Sequence, residues 1–477
     1  MPSILGANTL SGGYDVANSV RFNDGDSPRM HKTPSGAGNR RKFTISAWVK
    51  RGSNLGANSY IFDARVDGSD NAPFQFNTSD QIFFRTKVGG TSYFIQTNRV
   101  FRDVSAWYHL VIVYDNTLGT AGDRIQLWVN GVRETSFADS TMPNQNTDTT
   151  VNNASVVQTV GSEGGGASFF DGYISEFVLL DGTADSPVNT LGEFDEDSGI
   201  WKPINVSGLT FGTNGFYLDF EDSANLGNDA NGGTDLTEVN LAATDQSTDT
   251  CTNNFATFNP LIRNKSYNDG SLAEGNTYFA PDGRAIACSS IGVTSGKWYA
   301  EFKATDAGAL SIGVGDIQLG IQAIGQTNPI YYDNNPSYAI GYYNSNGNLS
   351  YNGTSASYGN SYTDNNIIGV ALDMDNYAVY FSKNGTFQNS GDPTSGASKT
   401  GDATSTASYN PLNSGEPMFL FVEDFSASGV GQCYVNFGSP AFAISSGNAD
   451  ADGHGNFEYA VPSGYFALNT KNLAEYG

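Results

Sequence analysis

The amino-acid sequence predicts an all-β protein that contains two antiparallel β-sandwich (jelly-roll) domains. Short runs in which apolar and polar residues alternate are separated by turn residues along most of the chain. Helical periodicity is almost absent. One pair of predicted strands also occurs twice, about half a chain apart, which indicates two domains of similar plan.

The repeated feature is a pair of strands that ends in Asn-Gly. Its two copies span residues 107–131 and 367–385, and they align when Asp115 is set against Asp373. The matching apolar positions are Leu110, Ile112 and Tyr114 in the first copy, and Ile368, Val370 and Leu372 in the second. Asn-Gly favours a tight turn, because both central residues of such a turn need positive φ. We predict that each apolar face builds the core of one domain.

Length and composition restrict the classes of protein that remain. A chain of 477 residues is too long for one typical domain, so two or three are expected. No apolar run approaches the ~18 residues of a membrane span, and the N-terminus lacks the pattern of a secretion signal. Cys251, Cys288 and Cys433 are too few for a disulfide framework and fit synthesis in a reducing cytoplasm. We predict no membrane insertion.

The charge of the chain is strongly negative. It has 24 Lys and Arg against 49 Asp and Glu, a formal net charge of −25. Phosphate contacts need clustered basic residues, so nucleic acid is not expected as a partner. The local basic maximum is Arg40-Arg41-Lys42. We favour a solvated strand edge there; the alternative is a basic face that docks onto an acidic neighbouring subunit.

Four motifs in order characterise residues 1–185. They are Phe43–Lys50, Trp107–Asp115, Leu127–Gly131 and Phe170–Phe177. This order resembles the laminin-G-like (concanavalin A-like) jelly-roll family. The resemblance implies a two-sheet sandwich of a kind that often binds glycans or proteins.

A second set of motifs characterises residues 255–440. It comprises Ser295–Tyr299, Ser311–Val314, Ile367–Asp373, Tyr380–Gly385 and Val435–Gly438. The set is similar to the SPRY domain, which implies another sandwich that binds protein partners through loops at one end. The Gly/Ser/Thr-rich insert 388–410 departs from the compact form of that family and leaves one loop unassigned.

Residues 186–254 are rich in Asn, Asp and Gly and are predicted to form an ordered connector. Its large apolar residues, which could pack on a neighbouring domain, are Phe211, Phe216, Leu218 and Phe220. The stretch Asp229–Gly232 is similar to the start of a calcium loop but has no later bidentate Glu, so an Asx turn is favoured. Residues 441–477 are assigned to a C-terminal tail.

The sequence shows no recognisable set of catalytic residues. The three histidines are far apart, and zinc-site, nucleophile-elbow and phosphate-loop motifs are missing. His109 is interpreted as a hydrogen-bonded structural residue. We therefore predict a non-enzymatic protein with no catalytic residues, no metal and no cofactor. The alternative is a polysaccharide depolymerase, although the nearest carboxylate stretch, Glu193–Ser198, lacks the final Glu of one known pattern.

Binding is better supported, because eight tyrosines lie among Asn, Ser and Gly between Tyr331 and Tyr362. Tyr provides contact area with few rotors and can stack on sugar rings. For any single Tyr of this group, a framework position in a strand is the favoured interpretation. The candidate ligand contacts, in the least strand-like part, are Tyr331, Tyr332, Asp333, Asn334 and Asn335.

The two sandwiches, the opening residues 12–24 and the tail residues 461–473 together resemble structural proteins of tailed, particularly marine, bacteriophages. This resemblance implies a tail-fibre or surface appendage that binds a host receptor or glycan. The expected location is the virion surface, after assembly in the host cytoplasm. Other virion proteins are the expected partners, and a homo-oligomer is expected. The alternative within this class is a capsid decoration protein.

Overall fold

The structure is a computed structural model that describes residues 13–261, 271–316, 318, 338–426 and 430–477. The chain divides into two compact units, residues 1–254 and 255–477. Each unit is a sandwich of two largely antiparallel sheets, which confirms the predicted all-β class with two sandwich domains.

The first unit contains eighteen strands among its described residues. They are β1 Ser19–Phe22, β2 Arg29–Lys32, β3 Lys42–Arg51, β4 Ser59–Arg65, β5 Phe74–Phe76, β6 Gln81–Val88, β7 Thr91–Val100, β8 Trp107–Asp115, β9 Ile125–Val129, β10 Val132–Arg133, β11 Phe137–Thr141, β12 Val157–Val160, β13 Gly172–Asp181, β14 Glu193–Phe194, β15 Trp201–Lys202, β16 Phe216–Leu218, β17 Thr237–Val239 and β18 Gln246–Ser247. Every segment that the four laminin-G-like motifs place in a strand is a strand here.

Two sheets enclose the core of the first unit. Sheet A has the order β10-β9-β8-β3-β13-β1-β18, with β16 paired to β13, and sheet B has the order β11-β7-β6-β5-β4-β12-β2-β17. The predicted inner face of β8 packs in this core through Leu110, Ile112 and Tyr114. These three residues share one face because side chains at every second position of a strand point to the same side.

The outer face of sheet A is also buried, because residues 186–254 fold back over it. Val111 and Val113 of β8 pack there against Leu191, Val206 and Phe211. The same stretch adds β16 and β18 to sheet A and β17 to sheet B. Residues 186–254 thus close the first sandwich, and strands β3, β8 and β13 are covered on both sides.

The second unit contains fourteen strands among its described residues. They are β19 Ser271–Ala273, β20 Tyr278–Ala280, β21 Ala285–Cys288, β22 Lys297–Ala307, β23 Leu310–Asp316, β24 Ala339–Tyr343, β25 Asn348–Tyr351, β26 Thr354–Ser357, β27 Ile367–Asp373, β28 Ala378–Lys383, β29 Thr386–Phe387, β30 Met418–Asp424, β31 Gly431–Asn436 and β32 Phe466–Ala467. The described residues of this unit also include the short α-helices α1 Ala403–Ala407 and α2 Thr470–Tyr476.

Two sheets also form the second sandwich. Sheet C has the order β19-β20-β31-β22-β27-β28-β29, with β32 paired to β22, and sheet D has the order β21-β30-β23-β24-β25-β26. Ile368, Val370 and Leu372 lie in the core between them, as predicted. Residues 441–477 cover the outer face of sheet C, where Glu301 accepts hydrogen bonds from the backbone N–H groups of Glu458 and Tyr459 at 2.9 and 2.8 Å.

Both Asn-Gly pairs form the predicted tight turns. Asn130 and Gly131 have φ of 48° and 74° and join β9 to β10, where Val129 pairs with Val132. Asn384 and Gly385 have φ of 47° and 77° and join β28 to β29. The turn follows the second strand of each repeated pair, so the repeat contains three strands rather than two.

The insert 388–410 folds against the turn between β27 and β28. Tyr377 in that turn has φ of 53°, which is unfavourable for a large side chain, and it is 44% exposed. Its carbonyl accepts hydrogen bonds from Lys399 Nζ at 3.2 Å, Thr404 Oγ1 at 3.4 Å and Asn410 Nδ2 at 2.9 Å. The insert thereby holds an exposed aromatic residue in a left-handed conformation.

Candidate functional site

The sequence-predicted contacts Tyr331, Tyr332, Asp333, Asn334 and Asn335 lie outside the described residues. They therefore stay a prediction. The other six tyrosines of that group are described. Four of them, Tyr338, Tyr342, Tyr358 and Tyr362, are buried, which agrees with framework positions.

The described part of the first unit has a groove formed by Asp181, at the end of β13, and by three loops near it. We call it the arginine groove; its volume is about 700 Å³. It is lined by Ala37, Gly38, Asn39, Arg40, Arg41, Asp148, Asp181, Gly212 and Thr213. These residues come from four separate segments of the chain, so the fold alone brings them together.

Asp181 organises the base of the groove. Its Oδ1 accepts hydrogen bonds from the Asn39 backbone N–H at 2.6 Å and from Asn152 Nδ2 at 3.1 Å. Its Oδ2 accepts one from the Asn214 backbone N–H at 3.0 Å. One buried carboxylate therefore ties together three of the four loops.

Two glycines allow the groove walls to approach Asp181. A Cβ on Gly38 would lie 2.0 Å from Asp181 Oδ2. A Cβ on Gly212, whose φ is 80°, would lie 2.1 Å from the Asp181 carbonyl oxygen. Both positions need glycine, because any side chain would displace the loop that carries it.

Charged side chains form the rim of the groove. Arg41 Nε lies 2.6 Å from Asp148 Oδ1, and Arg40 Nη1 lies 3.7 Å from Asp148 Oδ2. The side chains of Arg40, Arg41 and Asp148 are 29%, 43% and 44% exposed. The rim offers guanidinium donors and carboxylate acceptors to solvent, and its lining includes no aromatic ring. Such a site recognises a ligand through hydrogen bonds and charge rather than by stacking.

This geometry corrects the favoured interpretation of Arg40-Arg41-Lys42 as a solvated strand edge. Strand β3 starts at Lys42 and lies between β8 and β13, so it is an interior strand. Arg40 and Arg41 belong to the loop before it and meet Asp148, 107 residues further along the chain from Arg41. The basic run is visible in the sequence, but its acidic partner Asp148 is too distant in the chain to be inferred from it.

A buried Ser-His pair lies beneath the cover of sheet A. Ser46 Oγ is 2.8 Å from His109 Nε2, and the Trp201 indole Nε1–H donates to His109 Nδ1 at 3.0 Å. Because an indole only donates, Nδ1 must accept, and the proton of the neutral ring is on Nε2. His109 therefore donates to Ser46 and cannot act as its base. Burial also lowers the pKa of His109 to about 3. His109 is buried and hydrogen-bonded through both ring nitrogens, which agrees with its interpretation as a structural residue.

Glu176 lies near this pair at a bulge in β13, with φ of 50°. Tyr217 Oη lies 2.9 and 2.8 Å from its two carboxyl oxygens. Burial raises the pKa of Glu176 to about 8. The cavity that Ser46, His109 and Glu176 share is only about 10 Å³, room for about one water and not for a substrate.

The carboxylate stretch Glu193–Ser198 forms a hairpin edge and a loop. Lys202 Nζ lies 3.3 Å from both Glu193 Oε1 and Asp195 Oδ2. Asp195 Oδ1 also accepts a hydrogen bond from the Ser198 backbone N–H at 2.9 Å, the main cause of its lowered pKa. These carboxylates neutralise a lysine rather than flank a cleft.

The described residues contain neither a cluster of metal ligands nor a membrane-spanning helix. No group of three or more His, Cys, Asp or Glu side chains within them is placed to hold a metal ion. Asp229 accepts a hydrogen bond from the Asn231 backbone N–H at 3.2 Å, which is the predicted Asx turn. Across those parts of the chain, no helix has the length and apolar character that a membrane crossing requires.

The fold and the groove define a protein with two β-sandwich domains and a polar, loop-borne cavity. Residues 25–186 match the family model of the concanavalin A-like lectin/glucanases superfamily, and residues 297–410 match that of the SPRY domain. Both resemblances noted in the sequence are confirmed, and the two folds suggest a binding function. Neither match connects the chain with bacteriophage appendage proteins.

Two solved structures illustrate the similarity. The SPRY domain of human HERC1 aligns with 18% identity and a TM-score of 0.28, over 37% of this chain and 96% of that one. A candidate carbohydrate-binding protein from Bacteroides ovatus aligns with 16% identity and a TM-score of 0.31, over 47% of this chain and 58% of that one. At these TM-scores neither likeness bears on function. The comparison of this sequence with curated proteins finds no match.

Proposed function

We propose that the protein is a non-catalytic glycan-binding protein whose first sandwich holds the ligand in the arginine groove. The observation that carries this proposal is the rim, where Arg40, Arg41 and Asp148 present donors and acceptors side by side. A sugar hydroxyl both donates and accepts, so a mixed rim of this kind suits it. The match of residues 25–186 to a superfamily that includes lectins supports the same ligand class.

The carboxylates of the groove support binding rather than hydrolysis. Asp181 is buried, and its two oxygens already accept three N–H hydrogen bonds from the protein. Both oxygens of Asp148 face guanidinium groups, those of Arg40 and Arg41. Hydrolysis of a glycoside needs one carboxylic acid that can give a proton to the leaving group. Neither aspartate is placed for that role.

The experiment is a glycan array probed with the full chain and with the double variant Arg40→Gln/Arg41→Gln. We expect the wild type to bind at least one glycan class. The double variant should bind that class with an affinity lower by about tenfold or more, because two charge-assisted contacts are lost. Arg102→Gln is the matched control, since Arg102 pairs with Asp80 outside the groove. Equal binding by all three proteins would contradict a site in the groove. Release of oligosaccharides from a bound polysaccharide would instead indicate the depolymerase alternative.

The finer proposal is that this binding protein is a tail-fibre or surface appendage of a tailed bacteriophage, with a host surface glycan as ligand. It is supported by the sequence resemblance of the opening residues, the two sandwiches and the tail. Immunogold labelling of phage particles with antibodies against the chain tests it. Label on the tail supports an appendage, label on the head supports the decoration alternative, and unlabelled particles contradict both.

A further inference from the structure

We infer that the glycan held in the arginine groove carries an anionic group, and that Asp148 occupies the place of this group in the free protein. The inference rests on the proposed function, because it names the ligand class of the same groove. The chemical class is an acidic glycan, with a carboxylate such as that of a uronic or sialic acid.

Asp148 is placed as a ligand carboxylate would be placed. Its two oxygens face two different arginines, Oδ1 toward Arg41 Nε at 2.6 Å and Oδ2 toward Arg40 Nη1 at 3.7 Å. Arginine pairs recognise planar carboxylates through such contacts. A ligand carboxylate in the groove can therefore take over both contacts.

The segment that carries the arginines is held by contacts that do not involve the Asp148 side chain. Arg40 Nε donates to the Thr149 carbonyl at 2.7 Å, and the Arg40 carbonyl accepts from Thr149 Oγ1 at 2.8 Å. The Arg41 backbone N–H donates to Asn39 Oδ1 at 3.0 Å. The loop therefore keeps its place when Asp148 turns away, and little ordering is needed when a ligand binds.

Asp148 is the carboxylate of the groove that a ligand can displace. Its side chain is 44% exposed, and ion pairs at such exposure are weak because water screens them. Asp181, in contrast, is buried and accepts three N–H hydrogen bonds. Displacement of Asp148 leaves the base of the groove intact and frees the positive charge of the rim.

The charge of the whole chain selects among anionic ligands. A formal net charge of −25 repels a densely charged polymer such as nucleic acid. A glycan spaces its charges between hydroxyl groups, and those hydroxyls can use the remaining polar lining from Asn39 to Thr213. The acidic glycan therefore fits both the local positive rim and the negative surroundings.

The test is an array on which each uronic-acid or sialic-acid glycan is printed beside its methyl ester, which keeps the sugar and removes the charge. We expect the wild-type full chain to bind the acids about tenfold more tightly than the esters. Asp148→Asn should bind the acids with an affinity at least about threefold higher than that of the wild type, since the internal competitor is gone. Asp148→Ala, a second variant without this carboxylate, should show the same increase. Arg41→Gln should remove the preference for acids, while Arg102→Gln should keep it.

The outcomes separate this inference from the proposed function. If acids and esters bind equally and the arginine double variant binds neither, the groove is a glycan site but the anionic inference is overturned. If the two Asp148 variants bind acids no better than the wild type, the role of Asp148 as internal competitor is overturned. If no glycan binds at all, both proposals fail.

Discussion

Trp201 donates its indole N–H to His109 Nδ1 across 3.0 Å, although the two residues are 92 positions apart in the chain. The rings also lie nearly parallel, with centroids 5.8 Å apart and an interplanar angle of 20°. This contact attaches the segment after residue 186 to the outer face of sheet A and fixes the tautomer of the histidine.

Trp201→Phe tests the strength of this attachment. Phe keeps a ring against His109 but removes the donor, so the buried Nδ1 is left without its hydrogen bond. We expect a loss of about 1–3 kcal/mol in the free energy of unfolding, measured with urea. Trp128→Phe is the control, because Trp128 donates to Gln126 at a half-buried site where water can substitute. An equal loss in both variants would mean that ring volume, and not the hydrogen bond, matters.

Glu176 makes the stability of the first unit depend on pH between 4.5 and about 8. Burial raises its pKa from 4.5 to about 8, so the folded chain keeps a proton that the unfolded chain releases. The stabilisation is complete below pH 4.5 and disappears as the pH rises through about 8. We expect Glu176→Gln to flatten the decline in unfolding free energy between these values by up to about 1.4 kcal/mol per pH unit. The exposed Glu196→Gln is the control, and an unchanged slope in Glu176→Gln would contradict the prediction.

His109 acts in the opposite direction at acidic pH. Burial lowers its pKa from 6.5 to about 3, so the unfolded chain binds a proton that the folded chain does not. The unfolding free energy should therefore fall as the pH drops from 6.5 toward 3. His109→Gln should reduce this slope in a urea series at several pH values. A slope as steep as that of the wild type would show that other groups cause it.

Gly38→Ala tests the construction of the groove. The new Cβ would lie 2.0 Å from Asp181 Oδ2, so the loop must move away from the carboxylate that ties the walls together. We expect a cost of about 1–3 kcal/mol in stability and weaker glycan binding. Gly36→Ala is the matched control, since nothing lies within 4 Å of its Cβ. Full stability and binding in Gly38→Ala would contradict the role assigned to Asp181.

Val370→Asp tests the core of the second unit. Val370 is completely buried between sheets C and D, and a carboxylate there has no partner. We expect a loss of about 4 kcal/mol or more, seen as insoluble protein or as the absence of a second thermal transition. Thr386→Asp, on the exposed strand β29, should melt as the wild type does. A normal melting curve for Val370→Asp would contradict the core assignment.

At position 377, glycine should be more stabilising than alanine, which is the reverse of the order usually found in helices and strands. Alanine in a left-handed conformation costs about 1–2 kcal/mol, whereas glycine adopts it freely. Because Tyr377 has φ of 53°, Tyr377→Gly should be more stable than Tyr377→Ala by about 1 kcal/mol in thermal or urea unfolding. The opposite order would show that the turn changes conformation when the aromatic ring is removed.

Sequence patterns predicted the strands well where one face of a strand meets a core. Leu110 and Ile112 are two positions apart in β8, as Ile368 and Val370 are in β27, and all four lie on the predicted inner faces. The Asn-Gly turns were also predictable, because the positive φ they need is a local property.

The parts that sequence patterns missed depend on contacts between distant residues. Strands of two or three residues, such as β17 and β18, show no period, and they pair with β2 and β1, which lie far earlier in the chain. Asp181 looks like an ordinary strand end until Asn39 and Asn214 are brought to it. The only sequence feature that pointed to the groove was the basic run at Arg40. Its partner Asp148 is a single acidic residue in a polar loop and is not conspicuous in the sequence.

Residues 186–254, which cover the outer face of sheet A, determine where the first domain can be separated from the rest of the chain. The superfamily match ends at residue 186, but the compact unit continues to residue 254. A fusion that stopped at the earlier point would leave Val111, Val113 and Leu180 in water and provide an adhesive surface for other proteins. Exchange of the first sandwich between proteins must therefore transfer the covering segment with it.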